Sequence, residues 1–155
     1  MVKKDKAPVF VRVANVLTLT LLRAGFPLVG PGLVIGNYPM YLLTVRGRKS
    51  GQPRTVALAI IERNGKRYVG SPYGIVDWVR NLRSAGEALL TRGRRVEEVR
   101  TIELPPREAG LVLKRSLEGG IPSFLAKYFE VTAESSPEEF ERAGQLHPVF
   151  LFEKK

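Results

Sequence analysis

The sequence predicts a mainly β (α+β) domain, an antiparallel barrel of about six strands with flanking helices. Short runs of apolar and β-branched residues are separated by glycine-rich and proline-rich turns, and the few helical segments do not follow the strand-helix-strand order of a parallel sheet. With 155 residues, 44% of them hydrophobic, the chain is long enough for one packed core. We expect the barrel in residues 33–155, preceded by a separate basic and apolar segment in residues 1–32.

The predicted strands follow one another with tight connections. They are Tyr41–Arg46, Thr55–Ile61, Arg67–Ser71, Ala88–Arg92, Arg95–Leu104 and Pro148–Glu153. Asn64-Gly65 predicts a hairpin turn, because a type I′ turn needs positive φ at both central residues. Gly93 predicts a second hairpin, between the fourth and fifth strands. Glu97-Glu98 breaks the alternation of the fifth strand, which favours a bulge or an edge strand with solvated carboxylates.

Helices are predicted where the sequence has residues typical of helix caps and first turns. Asp77 is expected to cap a short helix, Trp78–Ala85, which Gly86 ends. A second helix is expected over Pro106–Leu117, and a short one after Pro122. Ser136-Pro137-Glu138-Glu139 has the serine and the glutamate of a capping box and begins the last helix.

The first 32 residues form a distinct segment. Lys3, Lys4 and Lys6 precede an apolar stretch that is expected to be helical from Pro8. Arg12 interrupts the apolar centre that a signal peptide needs, and the stretch is shorter than the roughly 20 residues of a membrane span. Two alternatives stay open: a helix packed on the domain, or a helix lying on an anionic membrane surface. The expected location is the cytoplasm, with peripheral contact on the inner face of the cell membrane in the second case.

The charge of the chain predicts an anionic partner. The formal net charge is +10, which suits nucleic acid, anionic lipid or a small molecule rich in phosphate and carboxylate. No cysteine is present, so thiolate chemistry is excluded, and the single histidine, His147, argues against a metal cluster and is expected to be structural. No recognition helix or stacking aromatic motif is found, so no nucleic acid is expected.

A basic turn joins the first two predicted strands. It reads Gly47-Arg48-Lys49-Ser50-Gly51-Gln52-Pro53-Arg54. The glycines allow a sharp turn that exposes backbone N–H groups, the serine adds a hydroxyl, and three cations lie beside them. This combination predicts an anion-binding turn suited to a phosphate.

A second constellation lies where the third strand gives way to a helix, from Ser71 to Leu82. Gly74 would let a flat ring approach the backbone, and the helix start offers unpaired N–H groups. Asn81 would add a polar contact from the helix. The alternative for these residues is structural, with Trp78 in the core and Asp77 as a cap.

Taken in order, the two motifs resemble the deazaflavin-dependent nitroreductase family, which binds the 8-hydroxy-5-deazaflavin coenzyme F-420. Members carry a Gly-Arg-Lys-Ser-Gly-x-x-Arg segment, here Gly47 to Arg54, and then a Trp-x-x-Asn-Leu segment, here Trp78 to Leu82. The resemblance covers roughly Leu42 to Leu104 and is closest to a less characterised subgroup. It implies a split β-barrel related to that of oxidoreductases that bind flavin mononucleotide (FMN). FMN stays open as an alternative cofactor.

The resemblance also implies roles for individual residues. The phosphate and anionic tail of the coenzyme would contact Arg48, Lys49, Ser50, Gly51 and Arg54. The deazaflavin ring or its linker would lie near Ser71, Tyr73, Gly74, Trp78 and Asn81. Tyr128 is the candidate for orienting the substrate, with an ordinary packed aromatic as its alternative.

The implied reaction is hydride transfer from the reduced coenzyme to an electron-poor acceptor such as a quinone, an enone or a nitro compound. The alternative is a carrier that binds a flavin, a deazaflavin or a lipid at the membrane surface without turnover. A homodimer is expected by analogy with split-barrel relatives.

Overall fold

A computed structural model of the chain describes residues 34–35, 38–121 and 126–155. The strands within these residues are β1 (Val34–Ile35), β2 (Tyr38–Arg46), β3 (Pro53–Ala59), β4 (Ile61–Arg63), β5 (Lys66–Gly70), β6 (Glu87–Arg92), β7 (Arg95–Glu103) and β8 (Val149–Lys154). The helices are α1 (Asp77–Ala85), α2 (Pro106–Glu118) and α3 (Pro137–Leu146), with a 3-10 turn at Lys127–Phe129. The predicted N-terminal helix and the start of the helix after Pro122 lie outside the described residues.

The strands form one antiparallel sheet that closes on itself. Its order is β1-β2-β6-β7-β8-β5-β4, and β3 pairs with the edge of β2 that β6 leaves free. The chain passes from β3 to β4 at Ile60, whose buried N–H donates to the Pro39 carbonyl at 2.9 Å. The β3–β4 segment therefore pairs with β2 at one end and with β5 at the other, which closes the barrel. The predicted antiparallel barrel is confirmed, and the predicted second strand is divided at Ile60.

The apolar core fills the barrel, and α1 covers one end of it. Leu43, Leu90 and Phe150 are fully buried inside the sheet. The first helix adds Val79 and Leu82 to the same cluster. Because its apolar face is held by the core, α1 has a fixed position from which polar residues reach the neighbouring turns.

The second and third helices pack on each other beside β8. Gly110 and Gly144 allow this close approach, since a Cβ on Gly144 would lie only 2.3 Å from the Pro106 carbonyl oxygen. Ala109, Leu113 and Phe140 form a second apolar cluster between the helices and the sheet. The flanking helices predicted from the sequence thus cover one side of the barrel.

Local signals in the sequence located most turns and caps. Asn64 and Gly65 have φ of 51° and 73°, as the predicted hairpin requires. Ser136 and Glu139 form the predicted capping box. The prediction for Asp77 was wrong: α1 begins at Asp77 itself, Val76 occupies the N-cap position, and no side chain caps the helix. The Asp77 carboxylate bonds to arginine side chains instead.

Strand β7 corrects the prediction of a bulge or an edge strand at Glu97-Glu98. It pairs in continuous register with β6 on one side and with β8 on the other, so it is a central strand. Glu97 points inward, where its carboxylate lies 2.6 Å from Arg67 and 2.7 Å from Arg95, and its side chain is only 12% exposed. The break in alternation therefore marks an ion-pair cluster in which Glu97 and Arg67 are mostly buried and Arg95 is exposed. The two guanidiniums compensate the Glu97 carboxylate for the water that it loses.

This cluster predicts an acid-sensitive contribution to stability. Burial alone would raise the pKa of Glu97, but the guanidiniums of Arg67 and Arg95 outweigh burial and hold it below the ordinary value of 4.5. A carboxylate with a depressed pKa stabilises the fold above its unfolded value, and the stabilisation is lost as the pH falls through the folded value. We expect Glu97→Gln to lower the free energy of unfolding at pH 7 by about 1–3 kcal/mol.

Urea denaturation of wild type and Glu97→Gln at pH 7 and at successive values below 4.5 measures this effect. The difference in the free energy of unfolding between wild type and Glu97→Gln should narrow as the pH falls. Glu98→Gln, at the exposed neighbouring position, is the control and should follow wild type throughout. A constant gap between wild type and Glu97→Gln would contradict the assignment.

Candidate functional site

The basic turn between β2 and β3 is closed by its own hydrogen bonds. The Gly47 N–H donates to the Gln52 carbonyl at 2.8 Å, and the Gly51 N–H donates to the Gly47 carbonyl at 2.9 Å. Gly51 has φ of 71°, a conformation that favours glycine. The Ser50 hydroxyl oxygen accepts from the Gln52 N–H at 3.2 Å. Its proton is left for another acceptor, since a hydroxyl both donates and accepts.

Arg48 connects this turn to the first helix. Its backbone N–H and its Nη1 both donate to Oδ1 of Asn81, at 3.2 and 2.8 Å. Its Nη2 donates to Oδ1 of Asp77 at 3.2 Å. Asn81 is 5% exposed, so its amide is fixed in the protein interior. The two motifs found in the sequence are therefore one hydrogen-bonded unit, although 33 positions separate Arg48 and Asn81.

The remaining cations of the turn face solvent. Lys49 and Arg54 are exposed, and no carboxylate within the described parts of the chain lies at ion-pair distance from either of them. Arg46 adds a further charge that the sequence analysis did not select. Its guanidinium lies 3.7 Å from where a Cβ on Gly51 would be. The available signal was its place at the exposed end of β2, directly before Gly47.

A groove of about 890 Å³ lies beside the turn. It is lined by the turn, by the end of α1, by the start of β6, and by parts of β7 and the C-terminal residue: Thr44–Gly51, Pro53, Ser84, Ala85, Glu87–Leu89, Glu98, Val99 and Lys155. Lys155 bonds to Glu87 at 2.6 Å, which lowers the pKa of that exposed carboxyl. Among the described residues, Lys49 of the turn and the neighbouring Arg46 of β2 thus supply the positive charge of the groove that no carboxylate pairs.

The loop that follows β5 is anchored at Ser71. This residue is fully buried, and its N–H donates to the Pro148 carbonyl at 3.0 Å. Its hydroxyl donates to the Gly74 carbonyl, and its own carbonyl lies 3.1 Å from Nδ1 of the buried His147. Gly74 has φ of 75°, so the loop bends sharply where a ring contact was predicted. These bonds fix the loop against the start of the last strand.

Tyr73 and Tyr128, selected separately from the sequence, lie against each other. Their ring centroids are 4.8 Å apart and their planes cross at 77°, an edge-to-face pair. The Tyr73 hydroxyl is buried and has no hydrogen-bond partner among the residues that the structure describes. Burial, and to a lesser degree the neighbouring Tyr128, raises the pKa of Tyr73 above its ordinary value of 10.0.

The predicted site residues thus fall into two groups. Arg48, Lys49, Ser50 and Gly51 line the groove, and Arg54 lies next to it with its side chain against Gly47. The second group, Ser71, Tyr73, Gly74, Trp78, Asn81 and Tyr128, does not line the groove. Trp78 is half-buried on the barrel core, with its ring 6.1 Å from Phe150. No cluster of three metal-ligating side chains occurs in the described residues.

Comparison with known proteins identifies the family. The sequence model of the family described as F420H(2)-dependent quinone reductase matches residues 28–118, more than half of the chain. The chain belongs to this family. No curated protein matches the reductase.

One solved structure supports the same conclusion, and a second shares the fold. One, described as an F420-H2 dependent reductase (FDR-A), is 26% identical to this reductase, with a TM-score of 0.54 over 74% of this chain and 94% of that chain. Another, described as a domain-swapped dimer, is 24% identical, with a TM-score of 0.51 over 93% and 97% of the two chains. The second likeness shows the fold alone, so the expected homodimer stays a prediction.

The family settles the class of chemistry. The reductase is a split-barrel enzyme that uses reduced coenzyme F-420 to reduce an electron-poor acceptor. The predicted family, fold, enzyme class and coenzyme are confirmed. The roles of the individual site residues stay predictions.

The link between the turn and α1 predicts energetic coupling between Arg48 and Asn81. Residues that share hydrogen bonds show non-additive effects of about 0.5–3 kcal/mol in double-mutant cycles. We expect Arg48→Ala with Asn81→Ala to destabilise less than the sum of the single changes, as measured by urea denaturation. Arg54→Ala with Asn81→Ala is the control pair, because Arg54 belongs to the same turn without bonding to Asn81. Additivity in both pairs would show that the link contributes nothing.

Proposed function

We propose that the reductase holds the phosphate and anionic tail of reduced coenzyme F-420 at the basic turn and its groove, and transfers the hydride to a quinone beside the loop that carries Tyr73. The observation that carries this proposal is the bonding of Arg48 to Asn81 and Asp77. This bonding connects the cationic turn, through α1, to the loop of Ser71 and Gly74, where a flat ring could lie close to the backbone.

The residues present fit such a coenzyme. The groove volume of about 890 Å³ lies within the roughly 300–1,000 Å³ of ligand sites. An anion at the turn would meet the charges of Lys49 and Arg46, which no described carboxylate pairs, and the hydroxyl proton of Ser50. Gly51 has no side chain to keep a phosphate from the backbone. Arg54 would add charge from the side of the turn outside the groove.

Arg48 and Asn81 have a different part in this arrangement. Because the amide of Asn81 is neutral, it positions the guanidinium of Arg48 without cancelling its charge. Asp77 is 81% exposed, so water weakens its pairing with Arg48. Arg48 would therefore hold the turn in place and still attract an anion.

The ring of the coenzyme is assigned to the loop of Ser71 and Gly74. The fixed backbone of this loop, with no side chain on Gly74, would let a flat ring lie close. Trp78 and Asn81 would limit its movement from α1. Ser71 would act through the backbone that it holds, because its hydroxyl is already bonded to Gly74.

Reduced coenzyme F-420, when bound, supplies a hydride. The contribution of the protein is to bring the acceptor within about 3–3.5 Å of the donor atom and to exclude water. Tyr128 presents a half-buried aromatic surface beside the loop, and Lys127 lies over its ring at 5.2 Å. A flat quinone would be oriented by this surface, in agreement with the catalytic role predicted for Tyr128.

Replacing Lys49 tests the anion site directly. We expect Lys49→Ala to weaken binding of the coenzyme by about 1–3 kcal/mol, the range for losing a charge-assisted hydrogen bond, without a change in stability. Titration of the fluorescence of coenzyme F-420 measures the affinity. Lys114→Ala, which removes an exposed charge from α2, is the matched control and should bind like wild type. Equal affinities for all three proteins would remove the turn from the binding site.

We also propose that residues 1–32 place the reductase on the cytoplasmic face of an anionic membrane. The support is the apolar stretch from Pro8 with Lys3, Lys4 and Lys6 before it. No helix within residues 38–121 and 126–155 is long and apolar enough to span a bilayer.

Vesicle sedimentation of the full chain tests the membrane proposal. Replacing the three lysines by glutamine should weaken binding to vesicles with anionic lipid by about 1 kcal/mol per lysine. Vesicles of neutral lipid are the control, on which the two proteins should differ little. Identical partitioning on anionic vesicles would contradict an electrostatic anchor.

A further inference from the structure

The Tyr73 hydroxyl is a buried polar group without a partner in the described residues. Leaving such a group unsatisfied costs about 1–3 kcal/mol, so a protein that keeps it generally has a use for it. A phenylalanine at this position would make the same ring contact with Tyr128 without that cost. The hydroxyl itself therefore requires an explanation.

The position of this hydroxyl is well fixed. Ser71 ties the loop to Pro148, Gly74 and His147, as described above. The edge-to-face contact with Tyr128 limits rotation of the Tyr73 ring. A hydrogen-bond donor held in this way is preorganised for a ligand.

Burial also keeps the group protonated. The pKa of Tyr73 lies above its ordinary value of 10.0, first because of burial and second because of Tyr128. At neutral pH the side chain is therefore a phenol that donates a hydrogen bond.

Quinone reduction needs such a donor. A quinone becomes a hydroquinone by gaining one hydride, which carries both electrons, and one proton. Hydride addition alone leaves a hydroquinone monoanion, with its negative charge on oxygen. In a site from which water is excluded, a protein group must stabilise that oxygen and protonate it.

We propose that Tyr73 is a catalytic residue that donates a hydrogen bond to a carbonyl oxygen of the quinone and then transfers its proton to the oxyanion. The O–H bond of Tyr73 breaks and the O–H bond of the hydroquinone forms. After the hydroquinone has left and solvent has entered the site, the tyrosinate takes up a proton from the solvent. This inference rests on the proposed function, because it places the quinone beside the loop of Tyr73.

Tyr73→Phe, which removes only the hydroxyl, tests the proposal. The melting temperature should not fall, because no hydrogen bond within the described protein is lost. Coenzyme affinity should also stay unchanged. With menadione as acceptor, kcat should fall by at least about 100-fold, the lower range for losing a general acid. The solvent isotope effect on kcat should shrink as well.

A vibrational measurement gives a readout independent of turnover. In wild type with oxidised coenzyme, a hydrogen bond from Tyr73 should lower the infrared C=O stretching frequency of carbon-13-labelled menadione. Tyr73→Phe should abolish this shift. Tyr68→Phe, a half-buried tyrosine of the second apolar cluster, is the control and should retain both the shift and the rate.

The outcomes distinguish a failure of the proposed function from a failure of the role proposed for Tyr73. If wild type binds the coenzyme but does not reduce menadione or any other quinone, the proposed function fails. If wild type reduces menadione and Tyr73→Phe matches it in rate and in C=O frequency, the role of Tyr73 is wrong. A lowered melting temperature of Tyr73→Phe would show that the hydroxyl has a structural partner, and would also overturn the inference.

Discussion

The candidate site depends on the bonding of Arg48 to Asn81. A neutral, nearly buried amide oxygen receives both the backbone N–H and the guanidinium of the same residue. The backbone bond fixes the path of the turn, and the side-chain bond fixes its charge. Had the acceptor been a buried carboxylate, the bond would have been stronger, but the charge of Arg48 would have been neutralised. The amide provides attachment and leaves the site electropositive.

The bond between Arg48 and Asn81 fixes the turn because helix α1, which carries Asn81, is itself held by the core. Its apolar residues Val79 and Leu82 belong to the barrel core, so the polar residues between them cannot move independently. The loop of Tyr73 leads into its first turn, and its last residues, Ser84 and Ala85, line the groove. One short helix therefore adjoins the turn, the groove and the aromatic pair. Their relative positions depend on the packing of the core rather than on flexible surface contacts.

Much of the fold was predictable because its signals are local. Turn residues such as Asn64-Gly65 and the capping box at Ser136 act within a few positions of the chain. The errors concern partners distant in sequence. In the sequence, Glu97 only interrupts the alternation of a strand, because the pattern does not show that Arg67 on another strand faces it. Asp77 has the residue type and position of a helix cap, and the sequence does not show that Arg48 pairs with it. The contact between Tyr73 and Tyr128, and the place of Arg46 beside Gly51, likewise arise only on folding.

The cations at the proposed binding site differ from those inside the barrel in how they are paired. Inside the barrel, Arg67 is paired with Glu97, so its charge has little effect at long range. At the basic turn, Lys49 and Arg54 have no acidic partner among the described residues, and Arg48 is paired mainly with a neutral amide. Of the cations that the structure describes near the site, Lys49 and Arg46 line the groove beside the turn, and no described carboxylate lies at ion-pair distance from either. In the proposed binding mode, the net charge of +10 attracts the anionic coenzyme, and the turn Gly47–Gly51 contacts it.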